Sequence, residues 1–277
     1  MTHGRFRWAG GGEYESYVGR WRRLVAEEFV AWLDLDAGAR IVDVGCGTGA
    51  LTTALVDHAD PAAIVGVDPS VGFIEHARKQ TTDPRVTFAV ADAENLPFDD
   101  AEFDAAVSGL VLNFVSDSAR GVAESVRVVR RDGRVAAYVW DYADRMELIR
   151  YFWDAAVELD PAAEALDEGR RFRICNPAAL IDLFVGAGLV EVETQAFVVP
   201  TVFRDFDDYW QPFLSGEAPA PGYAMSLDED RRAALRERLR TRLPTRPDGS
   251  IPLVARAWAV RGTKRPEAGG QSRAKPL

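Results

Sequence analysis

The chain has few of the residues that build disulfide or metal-linked scaffolds. Its 277 residues include two cysteines, Cys46 and Cys175, and three histidines. Two isolated cysteines supply neither a disulfide framework nor the ligand cluster of a zinc site. No apolar run is long enough to span a bilayer, and Met1–Arg5 lacks the apolar core of a secretory leader. We therefore expect a cytoplasmic protein with no metal and no membrane partner.

The chain also has fewer basic than acidic residues. Lysine and arginine total 33 against 43 aspartate and glutamate residues, which gives a net charge of −10 and a pI near 4.9. Such a chain is poorly suited to bind nucleic acid or an anionic membrane. Its hydrophobic content of 47% supports a full core, and its length suits one α/β domain with insertions or a domain and a half. We expect a monomer or homodimer that acts on a small molecule and does not bind nucleic acid.

The most informative segment is a strand that runs into a glycine-rich turn. Val42–Val44 is apolar apart from Asp43, and Gly45–Gly49 follows with glycine at every second position. These glycines let the backbone turn tightly and leave space for a close ligand. A helix that starts near Thr48 would point its free N–H groups and its positive dipole end at that ligand. Nucleotide-like ligands bind at this place in many α/β sheets.

Acidic residues follow the next two predicted strands. The second strand, Ala63–Val67, ends at Asp68, where a carboxylate about 20 residues after the glycine turn can accept both hydroxyls of a ribose. The third strand, Val86–Ala91, is followed by Asp92, which can accept an adenine amino group while neighbouring backbone N–H groups serve the ring nitrogens. A fourth strand, Phe103–Ser108, comes next. The order predicts a ligand that contains a nucleoside.

These segments resemble the motifs of one enzyme family. The stretches VDVGCGTG at 42–49, DPS at 68–70, ADAENLPF at 91–98 and FDAAVS at 103–108 are similar to those of the class I S-adenosylmethionine (SAM) dependent methyltransferases. The resemblance is greatest to the small-molecule group that includes the ubiquinone and menaquinone biosynthesis enzymes, and it covers about residues 13–141. It implies transfer of a methyl group from SAM, with S-adenosylhomocysteine (SAH) as product.

The resemblance also implies roles for individual residues. The glycine loop would lie against the methionine part of SAM with Asp43 supporting it, and Ser108 and Gly109 would close the methionine end. Tyr17 and Arg20 belong to an N-terminal segment that folds over the cofactor in similar enzymes, so they are candidates for the lid and the carboxylate. The predicted cofactor residues are Tyr17, Arg20, Asp43, Gly45, Cys46, Gly47, Gly49, Asp68, Pro69, Ser70, Asp92, Ala93, Glu94, Ser108 and Gly109.

Aromatic residues are concentrated in the segments beyond the motifs. We expect residues 142–175 and 200–248 to form a helical cap over the carboxyl ends of the strands, with a chamber for the methyl acceptor beneath it. The candidate acceptor contacts are Asn113, Trp140, Tyr142, Trp153, Phe172 and Trp210. Each of these aromatic side chains alone is more often a core residue, but together they predict a pocket for an apolar or ring-containing molecule.

The predicted fold is α/β, with a Rossmann-like sheet of seven strands, mostly parallel, and an antiparallel hairpin at one edge. We expect an N-terminal lid helix in 1–35, a SAM-binding core in 36–141, the helical cap, the C-terminal part of the sheet in 176–199 and 249–263, and a disordered tail in 264–277. Local patterns predict a helix over 116–131 that ends at Asp132-Gly133, loops over 160–175 and 216–222, and a helix over 226–243 that starts with Ser226 and Glu229 as a capping box.

Two other functions share parts of this pattern. An NAD-dependent oxidoreductase would have the glycine turn and Asp68, but it would not explain Gly49 or Asp92. A non-catalytic SAM-binding regulatory protein would share the whole cofactor half. No histidine is well placed as a general base, and Asp141 or Tyr142 is the only base that the sequence offers. The catalytic residues therefore stay unknown at this stage.

Overall fold

The computed structural model describes residues 20–216 and 218–265. A sheet of seven strands runs through this part of the chain in the order β3-β2-β1-β4-β5-β7-β6. The strands are β1 Arg40–Val44, β2 Ala63–Asp68, β3 Val86–Val90, β4 Phe103–Gly109, β5 Val129–Trp140, β6 Leu189–Phe203 and β7 Ile251–Lys264. Strands β1 to β5 pair in parallel, and β7 pairs antiparallel with both β5 and β6. The predicted Rossmann-like sheet with an antiparallel edge is confirmed.

Helices cover both faces of the sheet. They are α1 Arg20–Leu33, α2 Ala50–His58, α3 Val71–Gln80, α4 Ser118–Val128, α5 Glu147–Leu159, α6 Glu168–Arg171, α7 Pro177–Gly186, α8 Phe206–Trp210, α9 Pro219–Ser226 and α10 Glu229–Arg242. Polar side chains cap the N-termini of several helices: Ser70 accepts from Phe73 N, Asp117 from Arg120 N and Asn176 from Ala179 N. No helix in the described ranges is long and apolar enough to cross a membrane.

The predicted end of the helix at Asp132-Gly133 is wrong. α4 ends at Val128, and both residues lie inside β5, where the pairing with β4 shifts register. Asp132 has a φ of 61°, which accommodates the irregularity. A Cβ on Gly133 would lie 2.5 Å from the carbonyl oxygen of Asp104, so glycine is needed here for close strand approach.

Two segments predicted as loops contain helices. Residues 160–175 hold a 3-10 helix, Pro161–Leu166, followed by α6, and residues 216–222 overlap the start of α9. In both cases a proline occupies the first turn, where its missing N–H has no cost. The predicted capping box is also wrong: Ser226 is the last residue of α9, and Asp228 caps α10 by accepting from Arg231 N at 2.8 Å.

The two antiparallel strands β6 and β7 are longer than predicted. β6 continues to Phe203, and β7 reaches Lys264, the residue at which the predicted tail begins; the rest of that tail after Arg265 lies outside the described residues. Trp140, the last residue of β5, pairs with Ala257. Residues 251–256 of β7 and their partners in β6 therefore project past the carboxyl end of β5, next to the cap.

The cap is held together by aromatic packing and by arginines. The rings of Phe152 and Phe213 stack with centroids 4.5 Å apart, and the Tyr209 hydroxyl donates to the Leu148 carbonyl at 3.0 Å. Arginines of α10 tie this helix to its neighbours: Arg238 binds Glu158, and Arg232 donates to the last carbonyls of α9. These contacts hold the helices of residues 142–175 and 200–248 to one another.

Candidate cofactor and acceptor site

The glycine loop lies between β1 and α2 and requires glycine at three positions. Gly45, Gly47 and Gly49 have φ values of 76°, 54° and 93°. The loop is fixed to the end of β2, because the N–H groups of Gly45 and Cys46 donate to the Val67 carbonyl at 2.7 and 2.9 Å. A Cβ on Gly47 would have no atom of the described residues within 4 Å. The loop therefore has open space on the side where a ligand is predicted.

Cys46 lies at the back of this loop. It packs in a small cluster with Ile74, Ala77 and Phe88, and burial raises the pKa of its thiol. A buried thiol with a raised pKa is a poor nucleophile. Cys46 thus contributes to a ligand site only by shaping the glycine loop.

Asp68 connects the glycine loop with the start of α3. Its Oδ2 accepts from Gly47 N at 3.1 Å, and its Oδ1 accepts from Ser70 N at 2.8 Å. The residue is 8% exposed, and burial raises its pKa while the two N–H groups oppose this rise. A carboxylate offers about four lone-pair positions, so two stay available for further donors. Pro69, next in the chain, is exposed.

Asp43 is a fully buried carboxyl beneath the loop. Its Oδ2 accepts from the Thr52 hydroxyl at 2.6 Å, whereas its Oδ1 has no partner among the described residues. Burial raises its pKa to about 7, and the charge of Asp68 adds to the rise. The structure therefore brings a second acid to the glycine loop, with one oxygen that still lacks a donor.

The acids after β3 lie on the same edge as Asp68. Asp68 pairs with Val90, so Asp92 stands two residues further along the neighbouring strand. Asp92 is exposed, and its Oδ1 accepts from Glu94 N at 3.0 Å. Glu94 in turn accepts from the backbone N–H of Asp117, the cap of α4. Asp92 is thus fixed by its own turn, with Ala93 between the two acids, and faces solvent beside β2.

The end of β4 carries Ser108 and Gly109. Ser108 is 6% exposed, and its hydroxyl has no hydrogen-bond partner in the part of the chain that the structure describes. A Cβ on Gly109 would lie 2.6 Å from the hydroxyl oxygen of Tyr138, so this tyrosine of β5 lies directly over the glycine. Sequence reasoning missed Tyr138, because a tyrosine inside an apolar strand has the same pattern as a core residue.

The N-terminal helix contributes a residue that the sequence did not single out. Tyr17 and the side chain of Arg20 lie outside the described residues. Arg22 is buried on α1, and its guanidinium donates to the hydroxyl of Thr48 in the glycine loop. The sequence signal that could have identified Arg22 is its spacing. It comes seven residues before Phe29, which puts both residues on the face of α1 that packs inward.

Four of the six predicted acceptor residues lie at the carboxyl ends of β4 and β5. Asn113 is in the loop after β4, and Trp140 and Tyr142 are at the end of β5. The ring of Phe172 reaches this place from the cap, with its centroid 5.2 Å from that of Tyr142 and 5.4 Å from that of Phe114. These rings form an apolar wall beside the end of β4.

Trp153 and Trp210 are not brought to this edge. Trp153 is completely buried, and its Nε1 donates to the carboxylate of Glu168 in the interior of the cap. Trp210 is 5% exposed and stacks on Phe206. Both lie on helix faces that turn toward the core of the cap, so the structure uses them for packing.

The predicted base Asp141 is engaged in an ion pair. Its Oδ2 accepts from Arg256 Nε at 2.7 Å, and its Oδ1 accepts from Asp144 N at 3.2 Å. The carboxylate of Asp141 is thus already engaged by a guanidinium and a backbone N–H. His58 is exposed at the end of α2, and His76 lies on α3. Within residues 20–216 and 218–265, no group of three or more potential ligand side chains could hold a metal ion.

Comparison with known proteins identifies the family. Residues 42–137 match the model of a methyltransferase domain. Over 193 residues the chain is 29% identical to a ubiquinone/menaquinone biosynthesis C-methyltransferase of Desulfotalea psychrophila, and the match covers 66% of this chain and 77% of that protein. The chain carries a methyltransferase domain and is a SAM-dependent methyltransferase. It is an enzyme that takes a methyl group from SAM and leaves SAH.

Two further similarities agree with this assignment. A malonyl-[acyl-carrier protein] O-methyltransferase of Acetivibrio thermocellus is 28% identical over 61% of this chain, which spans only 59% of that relative. A solved structure of a putative methyltransferase from an antibiotic biosynthesis pathway of Anabaena variabilis shares the fold with a TM-score of 0.59 and 23% identity, over 87% of this chain and 96% of that one. None of these matches supports an NAD-dependent oxidoreductase or a non-catalytic regulator.

Proposed function

We propose that this methyltransferase acts on a small apolar acceptor that contains a ring, bound at the carboxyl ends of β4 and β5. The row of rings formed by Phe114, Phe172 and Tyr142 carries the proposal. Phe114 is 45% exposed, whereas Tyr142 is buried, so the row leads from solvent to the end of β5. A flat apolar molecule can pack against such rings and exclude water from the reacting atoms.

The glycine loop and the strand-end acids support binding of SAM at the neighbouring positions. Gly47 leaves open space in front of the loop, and Asp43 offers a buried oxygen without a described partner. In the proposed arrangement the spare lone pairs of Asp68 accept the ribose hydroxyls, and Asp92 accepts the adenine amino group. When bound, SAM supplies a methyl group that is activated by its positively charged sulfur.

Arg22 is the proposed partner for the carboxylate of SAM, a role that the sequence suggested for Arg20. The Arg22 guanidinium already lies against the glycine loop through its hydrogen bond to Thr48. A guanidinium offers several N–H donors in a fork that matches a carboxylate. The buried position on α1 lets this charge act in a region with little water.

The protein is proposed to act mainly by orientation. At the acceptor edge, which is formed by the carboxyl ends of β4 and β5, Asp141 is paired with Arg256. The described histidines lie elsewhere, on α2 and α3. The acceptor must therefore present a lone pair that needs no proton removal by a carboxylate or histidine, and the site contributes alignment behind the methyl group.

The relatives leave the methylated atom open. The Desulfotalea protein is a C-methyltransferase of ubiquinone/menaquinone biosynthesis, and the Acetivibrio protein is an O-methyltransferase of malonyl-[acyl-carrier protein]. What favours a ring-containing acceptor here is the row of rings at the end of β5, which an open-chain acid would not use.

The test has two stages. Calorimetric titration of the protein, stripped of bound cofactor, should show binding of SAM and SAH and no binding of NAD. A panel of ring compounds and open-chain acids of similar size is then assayed for SAH release. Methylation of open-chain acids alone would refute the proposed acceptor class. Binding of NAD without SAM would refute the cofactor site.

Three broader expectations stay predictions. Light scattering would decide between monomer and homodimer, and a nucleic-acid retention assay would test the absence of nucleic-acid binding. Cell fractionation would test the cytoplasmic location.

A further inference from the structure

Two buried N–H groups at the acceptor edge have no hydrogen-bond acceptor among the described residues. One is Nδ2 of Asn113, in the loop after β4, and the other is Nε1 of Trp140, the last residue of β5. Trp140 is only 1% exposed. Because buried N–H groups are almost always paired in folded proteins, two unpaired ones at one edge of a sheet require an explanation.

The main chain brings these two groups to the same region. β4 and β5 pair in parallel up to Gly109 and Tyr138, so Trp140 stands two residues beyond the last pair. The loop that carries Asn113 folds against β5 at its first residue, because Leu110 N donates to the Tyr138 carbonyl at 2.7 Å. The segment with Asn113 and the end of β5 therefore lie side by side.

Phe172 joins the same two segments from the cap side. Its ring contacts Phe114, the residue after Asn113, and Tyr142, two residues after Trp140. The two segments that carry the N–H groups are thus joined by apolar rings. A hydrogen bond or a charge is felt more strongly in such surroundings than in water.

We propose that Asn113 and Trp140 donate their N–H groups to one oxygen on the ring of the acceptor and hold that oxygen as an anion. This inference rests on the proposed function, since it needs an acceptor at the ring-lined edge. Both groups are hydrogen-bond donors only, so they match an oxygen anion better than an amine, which would bring further N–H groups. The acceptor class that follows is a phenol or an enol of a ring.

The two donors also replace a general base. Hydrogen bonds to the charged form of an acid lower its pKa, so the bound ring hydroxyl releases its proton to water without help from a carboxylate. The anionic oxygen then activates the ring for methylation at oxygen or at a neighbouring carbon. This agrees with the engagement of Asp141 by Arg256 at this edge.

The ionisable groups around this place do not oppose an anion. Asp141, next to Trp140, and Asp144 are both paired with Arg256, at 2.7 and 2.6 Å. Arg150 also reaches the end of β5, where its Nη1 donates to the Tyr142 carbonyl at 3.0 Å, and its carboxylate partner Asp167 is paired with it at 2.8 Å. The nearest carboxylates are therefore already compensated by a guanidinium.

The inference is tested with 4-nitrophenol, whose phenolate and phenol forms absorb at different wavelengths. Its ionisation is followed by spectrophotometric pH titration on the full chain saturated with SAH, so that no sulfonium charge contributes. The pKa of the bound phenol should be lower than that of the free phenol, with the phenolate bound at least about tenfold more tightly than the phenol. Asn113→Asp, which keeps the shape but replaces a donor by an anionic acceptor, should abolish this preference. Trp140→Phe should reduce it.

Trp32→Phe is the matched control, because it removes an indole from α1 that packs on Phe197 and Arg261, far along β7 from Trp140. It should keep the wild-type preference.

The inference is wrong if phenol and phenolate bind equally, if 4-nitrophenol does not bind although SAH does, or if Asn113→Asp keeps the preference. Should Trp140→Phe fail to fold, Asn113→Asp in the loop after β4 decides alone. Failure of SAH to bind would instead refute the cofactor site, and the same titration without SAH still tests the donors.

Discussion

Replacing Glu168 by glutamine should remove a pH-dependent loss of stability that this buried carboxyl causes. Glu168 lies on α6 and is 1% exposed. Its carboxyl accepts hydrogen bonds from Trp153 Nε1 and from the backbone N–H of Ala220. Burial raises its pKa from 4.5 to about 7, because the ionised form loses most of its hydration. The folded protein therefore holds a proton that the unfolded chain releases more easily.

The sign and size of the effect follow from this difference. Below pH 4.5 both states bind the proton, and the contribution of Glu168 to stability is fully present. As the pH rises toward 7 the unfolded chain ionises first, so the free energy of unfolding falls by about 1.4 kcal/mol per pH unit. Over the whole window the loss amounts to about 3 kcal/mol, a substantial part of the stability of an ordinary domain.

Glutamine has the same shape but cannot ionise. At about pH 8, Glu168→Gln should be more stable than the wild type by about 2 kcal/mol, once roughly 1 kcal/mol is subtracted for imperfect amide hydrogen bonds. At about pH 5 it should be slightly less stable. Urea unfolding at a series of pH values, followed by tryptophan fluorescence, measures both. Asp43 also titrates near pH 7, but it does so in both proteins, so their difference reports Glu168.

Glu158→Gln is the matched control. Glu158 is 40% exposed and pairs with Arg238 and Arg242 at the surface of the cap. Its replacement should change stability by a similar small amount at every pH above 5. If the difference between Glu168→Gln and the wild type is also constant from about pH 5 to about pH 8, then Glu168 does not titrate in this window and the reasoning from burial is refuted.

Three further substitutions test the cofactor site and the core. Asp68→Ala should weaken SAM binding in calorimetry by about 1–3 kcal/mol, because charge-assisted hydrogen bonds to the ribose are lost; an unchanged affinity would move the adenosine site elsewhere. Arg22→Lys should raise the Kd of SAM about tenfold since lysine lacks the bidentate fork, and equal effects of Arg23→Lys on the exposed face of α1 would refute this. Thr201→Val should raise the free energy of unfolding by about 1 kcal/mol, because the buried hydroxyl has no partner among the described residues; destabilisation would contradict that.

The glycine loop and the acids at the strand ends could be predicted because the backbone conformation and the strand order fix their positions. Gly45, Gly47 and Gly49 all adopt positive φ, a conformation that other residues rarely take, so their spacing alone reveals the turn. Asp68 and Asp92 follow strand ends, and parallel strands end at one edge of the sheet. Position in the sequence therefore translates directly into position in space.

Residues that depend on packing could not be chosen in the same way. Arg22 stands among several charged residues of α1, and only the burial of Phe29 and Val25 shows which face turns inward. Tyr138 becomes a candidate site residue only in the structure, where strand pairing places its hydroxyl over Gly109. For Trp153, the sequence could not show that its N–H is taken by a carboxyl fifteen residues later in the chain.

Prolines and glycines caused most of the errors in local structure. Each of these residues was interpreted as part of a loop or as the end of a helix. Instead, Pro219 begins a helix, and Gly133 allows β4 and β5 to approach closely. The same residue types mark turns at the surface and tight packing in the interior. Which of the two applies depends on the neighbours that the fold supplies, here the carbonyl of Asp104 beside Gly133.

The short helix α6 connects the interior of the cap with the acceptor edge. Glu168 is directed into the cap, whereas Gly169 packs so closely on the other side that a Cβ would lie 2.8 Å from the carbonyl oxygen of Tyr142. Phe172, directly after the helix, forms the middle of the ring row. Glu168 and Phe172 therefore belong to one short segment, whose start is fixed in the interior of the cap by Trp153 and whose end supplies a ring to the acceptor edge.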